Sequence, residues 1–283
     1  GVVGMFNSVF EKQIIFKTEI SGAAKVNRII KETHNNEIPI LGSSRANGSF
    51  IPSVLGENFY NYGIDGTSSN VWLVLLKQEL KKKKSNPVIL NFDLEGFQNS
   101  IGAIDNYIPN GENREIKLLT KKNNVDLPQG LFKYYGSIQN YLKFYINERY
   151  MVSKKIDNGG AFEINNITKS KFRKLVSKRE NTKNSFSVFD SLFSKYVNTI
   201  KSTEREIVIV IAPYHSSYFT SFTNYPVALD YIKMLDEIVN CTVINHGKLA
   251  INDEFFANTT HLNYKGALKF SEILKVDLGK LGY

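Results

Sequence analysis

Residues 40–48 read Ile40-Leu41-Gly42-Ser43-Ser44-Arg45-Ala46-Asn47-Gly48. A short apolar run stops at a glycine and two hydroxyls, the pattern of a buried strand that hands the chain to a loop or helix start at its C-terminal end. A hydroxyl placed there stands in front of free backbone N–H groups, where an oxyanion can be held. Serine is a weak nucleophile until a neighbouring base takes its proton, so the stretch has chemical meaning only with a partner. Near the other end of the chain, Asn258-Thr-Thr-His261-Leu-Asn-Tyr-Lys-Gly266 supplies a histidine.

Working outward from residue 40, Ile38-Pro-Ile-Leu41 is a first strand and Phe59-Tyr-Asn-Tyr-Gly63 a second. After Thr67 the pairs Val71/Trp72, Leu75/Leu76 and Glu79/Leu80 recur four apart, which predicts a helix ended by Asn86-Pro87. Val88-Ile-Leu90 follows as a strand with Asn91-Phe-Asp93 at its end. Phe189 to Ile200 carries a helical apolar stripe, and Glu206 to Ala212 is the strongest strand signal in the chain. A helix from about Pro226 to Val239, a strand Cys241–Ile244 and a last helix capped by Asn263 complete the pattern. Strands that are apolar throughout and alternate with helices are those of a buried parallel sheet. The expected fold is α/β: a three-layer, doubly wound, flavodoxin-like sheet of five parallel strands with a helical insertion. Residues 1–37 read as an N-terminal stem or linker, and 38–283 as the domain, interrupted by an insertion at about 97–185.

That insertion leaves the C-terminal end of a strand, so it is expected to overhang the ligand edge as a lid or recognition subdomain. Its aromatic residues Tyr134, Tyr135, Tyr141, Phe144 and Tyr145 fit either local core or sugar stacking.

The chain has 283 residues, 42% of them hydrophobic, enough for a full core. Its net charge of +9 is concentrated in Lys81–Lys84 and Lys169–Lys183. Both runs read first as solvated helix ends or faces, since lysines in a last turn offset the helix dipole. No zinc finger or aromatic nucleic-acid motif accompanies them, so nucleic acid is not an expected partner. Cys241 is the single cysteine, in an apolar run that predicts a packing role; an intrachain disulfide is impossible and no compartment follows. His34 and His246 lack ligand-spaced neighbours, so neither a metal nor a cofactor is expected. No stretch of eighteen apolar residues is present. The opening Gly1-Val-Val-Gly-Met-Phe-Asn reads as a segment cut from a longer protein.

In short blocks over about residues 38–276 the chain resembles the SGNH hydrolases, or GDSL-type esterases. Gly42-Ser43-Ser44 is similar to the family's Gly-Asp-Ser, which implies Ser44 as nucleophile, with Ser43 in place of the usual Asp. Asn61-Tyr-Gly63-Ile-Asp-Gly66 is similar to the second block and implies Gly63 N–H as an oxyanion donor. Asn258-Thr-Thr-His261 falls on the family's Asp-x-x-His, which implies His261 as general base. The third block lacks its glycine in Val88-Ile-Leu-Asn91-Phe-Asp93, where Asn91 is the candidate second oxyanion donor. Asn258 is the other departure, an uncharged amide at the usual Asp position; Asp253 or a backbone carbonyl are alternative orienters of His261. Arg45 and His215 are candidate substrate contacts, Arg45 for an anionic group. The resemblance implies a serine-dependent esterase or O-acyltransferase acting on an acyl group, expected to be acetyl, of a carbohydrate or cell-envelope polysaccharide. It also implies a bacterial extracytoplasmic location with a possible membrane tether or membrane-protein partner beyond these residues. A catalytically impaired glycan-binding or assembly protein of the same fold is the competing expectation.

Overall fold

The computed structural model describes residues 2–150 and 153–283. Five strands, β1 (Ile38–Leu41), β2 (Phe59–Asn61), β3 (Val88–Asn91), β6 (Ile207–Ile211) and β7 (Cys241–Asn245), make one parallel sheet in the order β2-β1-β3-β6-β7. A separate antiparallel hairpin pairs β4 (Lys154–Asp157) with β5 (Gly160–Glu163). Across the sheet centre Ile40 lies beside Ile89, Ile89 beside Val208, and Val208 beside Thr242. This is the α/β flavodoxin-like arrangement that the alternation of strands and helices predicts.

The two-residue period of a strand divides its side chains between two cores. Ile207, Ile209 and Ile211 face one core together with α2 (Gly22–Lys31), α5 (Ser69–Leu80), α9 (Asp190–Lys201) and α11 (Tyr225–Asp236). Val208 and Val210 face the other, with α3 (Ser44–Ser49), α4 (Pro52–Leu55) and α12 (Tyr264–Lys280). Burial on both faces is why β1 and β6 are apolar at every position.

The first residues form α1 (Val2–Gln13) and α2, and α2 is no linker: Val26 and Ile29 are fully buried in the first core. The insertion contains α6 (Arg114–Lys122), α7 (Ile138–Tyr150), the hairpin and α8 (Lys169–Glu180), and α10 (Ser216–Thr220) follows β6. The insertion's ends meet, because Ser187 N–H donates to Glu95 O at 3.0 Å and Phe97 N–H to Ser187 O at 2.9 Å. Between those points the insertion spreads over the domain rather than standing above the sheet edge as one subdomain. Its apolar residues are shared out, Ile116 and Leu119 to the first core, Phe162 and Phe172 to the second. Tyr134 and Tyr141 pack with Phe10 of α1, whereas Tyr135 is exposed, so the aromatic run divides between core and surface.

The Lys81–Lys84 run is not simply solvated. Glu79 is fully buried, and Lys82 and Lys84 reach its carboxylate at 2.7 and 2.8 Å, with Arg205 of the β6 approach at 3.1 Å. The charges tie the end of α5 to the start of β6. Cys241 is a buried packing residue whose thiol is pushed up to about 12 by burial. Among the described residues no helix is long and apolar enough to cross a membrane, and no group of three His, Cys, Asp or Glu is placed to hold a metal.

Candidate active site

β1 ends at Leu41, and α3 begins three residues later at Ser44. Ser43 caps that helix: its Oγ accepts Arg45 N–H at 3.1 Å and donates to Asp93 Oδ2 at 2.5 Å, so this buried hydroxyl is committed to structure. Ser44 is left half-buried at the helix start, and its Oγ lies 2.8 Å from His261 Nε2. His261 comes from the loop before α12, whose N-terminus is held by Asn263 Oδ1 accepting from Gly266 N–H at 3.0 Å. Residues 217 positions apart thus meet because β1 and the β7–α12 connection open on the same edge of the parallel sheet.

Asn258 stands in the third position. Its Oδ1 receives Thr260 N–H at 2.9 Å, His261 N–H at 3.0 Å and the Thr260 hydroxyl at 3.0 Å, and lies 3.1 Å from His261 Nδ1. Two of those partners are backbone N–H groups, which only donate, so the atom facing them must be the amide oxygen. The Thr260 hydroxyl also lies 3.0 Å from Nδ1; with that hydroxyl donating to Asn258 Oδ1, Nδ1 carries its own proton and Nε2 is left as the acceptor of the Ser44 proton. Burial, reinforced by the nearby Arg45 charge, pushes His261 down to about 4, so the ring is neutral and able to act as a base at neutral pH. Asp253, the alternative orienter, is instead 3.1 Å from His215 Nε2.

Neither expected oxyanion donor faces Ser44. Gly63 is buried and its N–H donates to Asn61 Oδ1 at 2.9 Å; a Cβ there would lie 2.3 Å from Asn47 N, so its glycine is a packing requirement. Asn91 is fully buried, donating Nδ2–H to Asp93 Oδ1 at 2.8 Å, and its Oδ1 accepts Ala212 N–H at 3.4 Å. Two glycines line the cavity beside Ser44, Gly66 and Gly96; Gly66, in the left-handed region at φ +71, lies next to Thr67 and Ser68. It stands three residues after Gly63 in the same Gly-Ile-Asp-Gly motif; the two glycines are told apart only by where the chain turns.

Arg45 does not present its charge to a ligand. Its guanidinium donates to Thr260 O, to Ala212 O at 2.6 Å and to Pro213 O at 3.3 Å, sits 3.2 Å from Asp93 and stacks 3.4 Å over the Tyr214 ring. His215 is buried between Phe172 and Phe256, with Nδ1 2.8 Å from Ser217 Oγ, and lines a different cavity from Ser44. Sequence reasoning missed Lys25, a buried lysine of α2 that donates to Gly63 O at 2.5 Å and Asn47 Oδ1 at 3.0 Å. It binds the Gly63–Gly66 loop to the helix that carries Ser44, and burial holds its ammonium down to about 7. In the run Ala23-Ala24-Lys25-Val26-Asn27-Arg28, Lys25 is one of several polar helix positions, and nothing in that run marks its charge as the buried one.

The Ser44 cavity has a volume of about 180 Å³ and is floored by Asp93, Glu95, Gln98 and Trp72. Burial pushes the Asp93 carboxyl up to about 6 against the pull of Arg45.

No protein-family model matches this chain, and no curated protein matches it. Seventeen chains among solved structures do. One, from Streptococcus pneumonia and provisionally described as a platelet activating factor, is 12% identical with a TM-score of 0.41, over 97% of this chain and 99% of that one.

Proposed function

We propose that this chain is a serine-dependent acyl hydrolase or O-acyltransferase of the SGNH kind, acting on a short ester-linked acyl group of a carbohydrate. The observation that carries the reading is the relay Ser44 Oγ–His261 Nε2 at 2.8 Å and His261 Nδ1–Asn258 Oδ1 at 3.1 Å. The order of the Gly42-Ser43-Ser44, Gly63-to-Gly66 and Asn258-to-His261 blocks supports it. In the reaction Ser44 Oγ attacks the ester carbonyl carbon as its proton passes to His261 Nε2. The tetrahedral oxyanion is held by N–H groups at the start of α3 and on the Gly66 loop. The intermediate collapses as the same proton goes to the leaving alcohol oxygen. Water, or a sugar hydroxyl in a transferase, then attacks the acyl-serine carbonyl with His261 again taking the proton, and the C–Oγ bond breaks as His261 returns that proton to Ser44 Oγ and the acid or new ester leaves. A cavity of about 180 Å³ suits an acetyl group better than a long chain. An extracytoplasmic bacterial setting, with a membrane tether or membrane-protein partner, belongs to the same proposal.

A second reading is favoured by one observation, the uncharged amide of Asn258 behind the imidazole: a glycan-binding protein that keeps the fold with little turnover. A fluorophosphonate probe separates the two. Labelling of the wild type and not of Ser44→Ala supports the enzyme, while absence of labelling from pH 6 to 9 would sink it in favour of the binding protein.

A further inference from the structure

The molecule is basic overall, with a net charge of +9, yet the cavity beside Ser44 has the opposite sign. Of the charged side chains lining it, Arg45 is occupied by three backbone carbonyls and Asp93. Asp93 in turn is neutralised by that guanidinium and by the Ser43 hydroxyl at 2.5 Å. His261 is engaged with Ser44 and Asn258.

Glu95 is left. It lies at the base of the insertion, where Ser187 N–H holds its backbone carbonyl, and its side chain is half-buried. Its carboxylate accepts the Tyr214 hydroxyl at 3.1 Å, while Leu94 N–H donates to that hydroxyl at 2.8 Å, so the phenol proton is directed at Glu95. Among the described residues no Lys, Arg or His forms an ion pair with it. An ionised carboxylate only accepts hydrogen bonds, and in a partly dehydrated cavity its field is poorly screened by salt.

We propose that Glu95 is a specificity-determining residue that sets the sign of the substrate: the part entering the Ser44 cavity is a neutral, hydroxyl-bearing sugar and not a uronic, sialic or phosphorylated one. This rests on the acyl-transfer reading of the same site. A substrate carboxylate would meet Glu95 with no unpaired cation among the residues that line the cavity to answer it, whereas a sugar hydroxyl would donate to Glu95. The basic surface runs do not change this, since Arg173 and Lys174 are exposed on α8 and do not line the cavity.

The test compares two probes of one ring type, a mono-O-acetylated methyl hexoside and the corresponding methyl hexuronate, with wild type, Glu95→Gln and Glu95→Lys. Two like charges in a cavity of this kind make a wild-type preference for the neutral ester of about thirtyfold in kcat/KM the expected result. The ratio should fall at least about tenfold in Glu95→Gln, which retains an acceptor for Tyr214, and should invert in Glu95→Lys. A wild-type ratio near one, or an unchanged ratio in Glu95→Gln, overturns the proposal. Calorimetric binding of the unacetylated methyl hexoside and hexuronate to Ser44→Ala reads the same discrimination without turnover. Equal binding of both, or binding of neither, also overturns it. Loss of p-nitrophenyl acetate hydrolysis together with fluorophosphonate labelling would instead sink the acyl-transfer reading, so the two failures are distinguishable.

Discussion

The amide oxygen of Asn258, not its nitrogen, faces Nδ1 of His261 at 3.1 Å, and the N–H groups of Thr260 and His261 hold it there. In the serine-protease triad an Asn in place of Asp costs about ten-thousandfold in turnover, chiefly through the wrong tautomer. Here two backbone donors turn the amide oxygen toward the ring, which favours the tautomer protonated at Nδ1. What the amide still lacks is a negative charge to stabilise the imidazolium that the proposed acyl transfer would form.

Asn258→Asp should therefore raise turnover of p-nitrophenyl acetate by about tenfold, part of what a triad carboxylate contributes. The pH profile moves as well. With His261 held down to about 4, wild-type kcat/KM should stay level down to about pH 5 and fall only below it. A carboxylate beside the ring favours its charged form, so the acid limb of Asn258→Asp should shift upward in pH. A well-folded Asn258→Asp protein with unchanged rate and unchanged acid limb would mean that Asn258 does not act through the ring.

Ser44→Ala and Ser43→Ala should fail differently. Ser44→Ala should abolish ester hydrolysis and probe labelling with the melting temperature nearly unchanged, since its hydroxyl is half-buried and, among the described residues, bonded to His261 alone. Ser43→Ala removes the α3 cap and a donor to buried Asp93, and should cost about 1–2 kcal/mol of stability. Chemical denaturation alongside labelling reads both. Labelling that survives Ser44→Ala and vanishes in Ser43→Ala would reassign the nucleophile.

Lys25 should leave a signature in stability against pH. Its folded pKa of about 7 lies below the ordinary 10.5, so between those values the unfolded chain binds a proton that the folded chain does not. Stability supplied by this group is therefore least below pH 7 and rises with pH across that window. Urea denaturation should show the wild type gaining roughly 3 kcal/mol relative to Lys25→Met between pH 7 and pH 9.5. Parallel pH dependences in the two proteins would show that Lys25 is not buried as an amine beside Gly63 and Asn47.

The Glu79 cluster is a structural counterpart. Glu79→Ala leaves Lys84 and Arg205 buried without their carboxylate and should cost roughly 3–5 kcal/mol in denaturant unfolding. A loss below about 1 kcal/mol, the value of an exposed pair, would place these lysines in solvent.

By itself the sequence determined the five-stranded parallel sheet, because strands buried on both faces must be apolar at every position and helices must show their stripe. Ile38–Leu41 and Ile207–Ile211, buried at every position, were legible for that reason, and the Asn263 cap by its place before a helical stripe. The order of short motifs also pointed to Ser44, His261 and Asn258. The β4–β5 hairpin carried a signal that went unread, the turn Asn158-Gly159 with both residues at positive φ. What only the tertiary structure decided is which polar groups are free. Asn91, Gly63, Arg45 and His215 are chemically suited to the roles expected of them, yet each has its polar groups engaged, by Asp93, by Asn61, by backbone carbonyls, or by Ser217 and Asp253. A side chain's identity states what it can bond to, but its availability depends on neighbours brought from distant positions by the packing of the sheet. Lys25 and Glu95 gain their meaning in the same way, one by being buried against Gly63 and the other by lining the Ser44 cavity without an ion-pair partner among the described residues.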